Sequence, residues 1–245
     1  MKKYLKLFTV ILVSILVLTG CGKKTKTGSE PVKKDEFKDA IKNTFDGKNF
    51  SLNLTLEEEE TAAIDAGSRL FETIKFDYYS NDNKESIHFN AYEKMTRITI
   101  AGPDVEEYTE EGYEVYKDGK YYSYSKLSDE NKWTYTTGST AEFDEISTDN
   151  VLKIFTSYNK VESDKEGYTK YDVNLDKEII KEELGSASIK ESTAYIKDGK
   201  LAIIYIKATT KEDSRTITMT YEISNVGEIK EIVVPDEVLK SAIEE

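Results

Sequence analysis

The chain of 245 residues has one cysteine, one histidine, one tryptophan and three prolines. With a single cysteine, no disulfide can form within the chain. With a single histidine, the His-Glu-x-x-His helix and other paired-histidine zinc sites are ruled out. That histidine, His88, lies in SIHFNAY. Ile87 and Phe89 point to one face of such a strand and His88 to the other, so it reads as an ordinary surface residue. No Gly-x-Ser-x-Gly elbow and no glycine-rich phosphate loop is present. Close pairs of carboxylates are unavoidable among 47 acidic residues, and by themselves they identify no glycosidase. No enzyme activity, catalytic residue, cofactor or metal is expected.

Positive charge is the next shortage. Lys and Arg number 34 against 47 Asp and Glu, a formal net charge of −13. Nucleic-acid affinity comes largely from cationic side chains displacing counterions, so DNA and RNA are not expected as partners. Glu57 to Glu60 form a dense acidic run. Consecutive strand residues face opposite sides, and calcium loops place acids at alternate positions with a glycine. The run therefore reads as an acidic hairpin end in solvent.

Long hydrophobic runs are missing too. The apolar stretch from Leu7 to Leu18 follows Lys2, Lys3 and Lys6 and stops at Thr19-Gly20-Cys21-Gly22. A membrane-spanning helix needs roughly 20 apolar residues. A basic start, a shorter apolar segment and small residues at its end instead predict a secretory signal peptide over residues 1–20. Leu18-Thr19-Gly20-Cys21 resembles the lipobox of bacterial lipoproteins. The resemblance implies that the Cys21 thiol takes a diacylglycerol, with acyl chains such as palmitate, and becomes the mature N-terminus. Two acyl chains, at about 0.8 kcal/mol per buried methylene, anchor stably where one does not. Three lysines and no acid leave with residues 1–20, which takes the charge from −13 to −16. Residues 21–34 hold the lipidated cysteine and then GKKTKTGSEPVKK, with five lysines and one acid, a flexible tether suited to anionic headgroups.

From Asp35 onward the chain is rich in Tyr, Ile, Val and Thr, which favour strands, and no Pro-rich or Gly/Ser-rich linker divides it. Residues 35–245 are expected to form a single domain. Asp35 can cap a helix over DEFKDAIKNTF, with Phe37, Ala40, Ile41, Thr44 and Phe45 on one face and Gly47 ending it. Strand alternation follows in SLNLTLEEEE, TIKFDYYS, SIHFNAY and TRITIA, the last through Ile98 and Ile100. Asp118-Gly119 in VYKDGKYYSY is a two-residue turn matched to strand twist. It pairs Val115 with Tyr122 and Tyr113 with Tyr124 on one face. Asp198-Gly199 repeats it in AYIKDGKLAIIYI. Helices are read over TDNVLKIFTSY (Val151, Phe155, Tyr158 on one face), DKEIIKEELG (cap Asp176, stop Gly185) and PDEVLKSAIEE. About nine to eleven strands and four amphipathic helices give an α+β fold, because tight turns make an antiparallel sheet and one-sided helices need a sheet face.

The order of these elements, with the pair KYYSYS…KWTYT before the mid-chain helices, resembles the Lol-type lipoprotein carriers. The ending YEISNVGEIKEIVVPDEV does too, where a last Tyr strand leads to Ile232 and then Pro235. Mycobacterial glycolipid-carrier lipoproteins and many Gram-positive lipoproteins share that form. The resemblance implies a strongly curved antiparallel sheet, an incomplete barrel, with helices covering its concave face and an apolar ligand between. Phe76, Phe89, Tyr122, Tyr124, Trp133, Tyr135, Met219 and Tyr221 are expected on the helix-covered face, with Phe155 bordering the same space. A filled core and a lined pocket use the same residues. Two functions stay open: a membrane-anchored extracytoplasmic lipoprotein that binds a lipid or other apolar ligand, or a surface-displayed adhesion or accessory module with a solid core.

Overall fold

The structure, a computed structural model, describes residues 35–46, 49–61, 67–81, 84–139, 146–184, 187–210 and 214–244. The signal peptide, Cys21, the tether and the helix stops Gly47 and Gly185 lie outside the described residues. The first half runs α1 (Glu36–Phe45), β1 (Phe50–Thr61), β2 (Gly67–Asn81), β3 (Lys84–Thr99), β4 (Gly102–Lys117), β5 (Lys120–Leu127) and β6 (Thr134–Gly138). Next come α2 (Thr148–Ile154), β7 (Phe155–Val161), β8 (Thr169–Leu175), α3 (Lys177–Leu184), β9 (Ser188–Lys197) and β10 (Lys200–Thr209). β11 (Arg215–Ser224), α4 (Asp236–Ser241) and β12 (Ile243–Glu244) complete the chain. All the strands join one open, curved sheet in the order β12-β6-β5-β4-β3-β2-β1-β11-β10-β9-β8-β7. Every pair is antiparallel except β12, which lies parallel to β6.

Local chemistry explains the joints. Both central residues of each Asp-Gly turn take positive φ, 52° and 82° at Asp118-Gly119 and 51° and 69° at Asp198-Gly199, as a two-residue hairpin matched to strand twist requires. The pairing Val115 with Tyr122 and Tyr113 with Tyr124 follows from that turn. Asp35 caps α1 by accepting from the Lys38 amide at 3.2 Å. Asp176 caps α3 by accepting from the Glu178 and Ile179 amides. α1 is pinned to the β9–β10 hairpin by two side chains. Thr44 Oγ1 donates to the Ala40 carbonyl and accepts from the Leu201 amide at 2.8 Å, while Asn43 donates to the Gly199 carbonyl.

The mid-chain helix is shorter than the apolar spacing predicts. α2 ends at Ile154, and Phe155, Thr156 and Tyr158 belong to β7. FTSYNKV is rich in residues that favour the extended chain, and its backbone groups pair with β8. Ile98 is 46% exposed and Ile100, in the turn after β3, is 98% exposed, so the alternation of TRITIA buries nothing at that end.

Register divides the sheet into two faces. Leu52, Leu54 and Leu56 of β1 stand opposite Phe76, Ile74 and Glu72 of β2 and Ile223, Tyr221 and Met219 of β11. On this face Phe37, Ala40, Ile41 and Phe45 of α1, Val151 and Ile154 of α2 and Ile180 of α3 join the main core. α4 packs instead on the other face, where Val234 and Val238 meet Tyr113, Tyr124 and Trp133.

Candidate functional site: an apolar cavity between sheet and helices

The amphipathic faces of α1 and α2 and the alternating side chains of the central strands converge on one cavity of about 40 Å³. Phe45 of α1 and Val151 and Ile154 of α2 form its roof. Its floor is Phe50 and Leu52 of β1, Ile204 and Ile206 of β10, and Tyr221 and Ile223 of β11, with Phe155 and Leu175 at one end. Every lining residue is aliphatic or aromatic, and the Tyr221 hydroxyl, the one polar group they carry, lies 3.7 Å from the Met219 sulfur. The chemistry on offer is the acceptance of hydrocarbon. An apolar cavity of about 150 Å³ takes benzene, so the space as it stands admits no chain until its lining shifts.

Phe155 is the described residue that the cavity shares with the surface. It also lines an open cleft of about 650 Å³ beside Lys38, Leu152, Lys153, Thr156, Ser157 and Tyr158. Its ring meets Phe37 edge-on at 5.2 Å, and Phe37 stacks on Tyr158 at 4.3 Å. Tyr158 donates to Asp35. Burial first, and then this bond to Asp35, push the Tyr158 hydroxyl up to about 12.

The aromatic residues expected on one face fall on two. Phe155 and Tyr221 line the cavity; Phe76 and Met219 are buried in the same core, and half-buried Phe89 packs against it. Tyr122, Tyr124, Trp133 and Tyr135 lie on the opposite face, under the C-terminal segment. The hairpin register was legible, but not which of its faces the helices cover. Behind Tyr122 and Tyr124 the helix-bearing side of β4 and β5 is polar. Glu114, 1% exposed, accepts from Ser123 at 3.1 Å, and Tyr121 donates to Glu85 at 2.9 Å. Burial, reinforced by the Glu85 contact, pushes Tyr121 up to about 12.

The opposite face carries its own aromatic group. His88 stacks on Tyr113 at 4.4 Å, and Tyr113 donates to Glu111 at 3.0 Å. Burial and then Glu111 push Tyr113 up to about 12. Tyr113 in turn lies 5.8 Å from Trp133. His88 thus lies on the face opposite α1, α2 and α3, as its strand position predicts, but half-buried against Tyr113 rather than as an ordinary surface residue. The acidic run divides by parity: Glu58 pairs with Arg215 at 2.8 Å and Glu59 with Arg69 at 2.8 Å. Among the described residues no three His, Cys, Asp or Glu side chains are placed to hold a metal ion.

Most of the cavity lining was not singled out from the sequence. Leu52 and Phe45 were visible as members of apolar faces, but Ile204, Ile206, Leu175 and Ile223 become neighbours only once β10, β8 and β11 take their register.

No family model matches the chain, and no curated protein matches it. Among solved structures, a LolA superfamily protein from Nitrosomonas europaea is similar at 8% identity and a TM-score of 0.25, covering 83% of this chain and 94% of that one. At that TM-score the likeness carries no argument; the strand order and register above define the fold.

Proposed function

We propose that this protein is a lipoprotein, held by Cys21 at the extracytoplasmic face of the cell membrane, that binds a lipid or another apolar molecule between its sheet and helices. The observation that carries the reading is the cavity, whose described lining from α1, α2 and five strands is aliphatic and aromatic. Close-packed interiors leave few voids larger than a water, and this one sits where two short helices meet the sheet. Asp35 follows Cys21 by fourteen residues, at most about 50 Å of extended chain. An anchored domain on that tether works at the membrane surface, so local uptake and handover fit better than free shuttling.

The cavity's small resting volume is the observation that favours a second reading, a surface-displayed interaction module with a solid core. One measurement separates the two. Native mass spectrometry of the chain lacking residues 1–21, purified from the soluble fraction of the cells that make it, should show a co-purifying lipid. A clean apo mass, together with a thermal midpoint that no added lipid moves, would leave the interaction module.

A further inference from the structure

We infer that the cleft outside Phe155 is the mouth of the apolar cavity and recognises an anionic headgroup, so that the ligand is an acidic amphiphile. The inference deepens the lipid-binding reading and rests on it. Phe155 belongs to both walls: its ring closes the cavity on one side and borders the cleft on the other. The space beyond it changes character completely. Inside, the lining is hydrocarbon and aromatic ring apart from the Tyr221 hydroxyl; outside stand two ammonium groups and three hydroxyls, with no carboxylate among the described lining residues. In a chain with 47 acidic residues, that composition marks the cleft off from the general surface.

An ammonium carries three N–H donors, so each lysine can add a ligand to the partners it already holds. The Lys38 ammonium is 3.9 Å from Asp35, a distant pair whose acid already receives the Tyr158 hydroxyl. Lys153 donates to the Asn150 side chain at 3.4 Å. Ser157 Oγ accepts from Asn174 Nδ2 at 2.7 Å, which leaves its own hydrogen to donate. Lysine is a flexible point charge that suits carboxylate or phosphate alike. The ring of Phe155, held edge-on by Phe37, belongs to the one described residue that lines both spaces. Turning it aside lets one alkyl chain pass while the charged end stays with the lysines.

The test uses the chain lacking residues 1–21, since the described core lies wholly between Phe37 and Val238. The probes are a twelve-carbon fatty acid with a fluorophore at its chain end, and its methyl ester. The double variant Lys38→Glu/Lys153→Glu should weaken the acid by about tenfold or more, as expected for reversed charge contacts, and leave the ester within about twofold. Acetate at millimolar concentration should not displace the acid. Phe155→Ala should speed uptake of both probes. If both bind and the charge reversal weakens neither, the headgroup site is refuted and the apolar site stands; if acetate displaces the acid, the lysines hold a bare carboxylate and the claim of an amphiphile with its tail in the cavity is overturned. If neither probe binds the parent chain, both readings fall.

Discussion

Glu72 and Glu93 stand directly opposite each other on β2 and β3, on the helix-bearing face, 2% and 7% exposed. Burial, then the Glu93 charge, then the hydrogen bond with Glu93 push Glu72 up to about 8; burial also raises Glu93. Glu58, itself paired with Arg215, adds to the rise at Glu72, and Glu106 adds to that at Glu93. Like charges opposed across a ladder destabilise it, so the pair holds a proton at neutral pH.

The sign of the pH dependence follows. The folded state keeps on Glu72 a proton that the unfolded chain releases above about 4.5. Stability from this group is complete below that value and is lost as pH rises to about 8, by at most about 1.4 kcal/mol per pH unit. Glu72→Gln removes the titration while keeping the shape. Its thermal midpoint should match the parent near pH 4 and exceed it increasingly toward pH 8. A difference that stays constant over that range would show that Glu72 ionises freely.

Gly112 should not tolerate a side chain. A methyl there would lie 2.3 Å from the Phe89 ring and 2.9 Å from the Tyr124 carbonyl. The carbonyl cannot yield without breaking the β4–β5 ladder. Gly112→Ala should cost about 1–3 kcal/mol in denaturant melts, and combining it with Phe89→Leu should recover part of the loss. Full additivity of the two changes would mean that the ring does not lie over the glycine.

The same glycine shows why half the aromatic assignment was not legible in the sequence. Tight turns and alternation give strand existence and local register directly, and the α1 face of Phe37, Ile41 and Phe45 is read from its spacing alone. Which side of a hairpin meets the helices is decided by long-range packing. At β4 the helix side holds Gly112 and Glu114 while Tyr113 lies behind, the reverse of what hydrophobicity suggests. β7 is hidden in the sequence for a related reason. Val151, Phe155 and Tyr158 keep helical spacing, and in the fold Phe155 and Tyr158 still meet Phe37, but from a strand.

Cys21→Ala tests the anchor. The parent should partition into the detergent phase. The variant, with its signal peptide removed, should stay in the aqueous phase, because two acyl chains provide the stable attachment. Equal partitioning of the two would show that the domain is held by something other than lipid on Cys21.

The cavity makes a prediction at Val151, which is 1% exposed and projects from α2 into the roof. Val151→Ile adds one methylene beside a void of about 40 Å³. In an unoccupied cavity that group finds room, so stability should rise by up to about 0.8 kcal/mol, while uptake of a hydrocarbon chain should fall. Val151→Ala enlarges the same space and should cost about 2 kcal/mol, yet leave uptake equal or faster. The two substitutions therefore move stability and binding in opposite directions, which a solid core cannot do. Trp133, on the opposite face with Val234 and Val238, should keep its fluorescence through all of these titrations. Thermal melts and probe binding on the three proteins decide the matter: if binding follows stability across the series, the cavity is a packing void and not the place where a ligand sits.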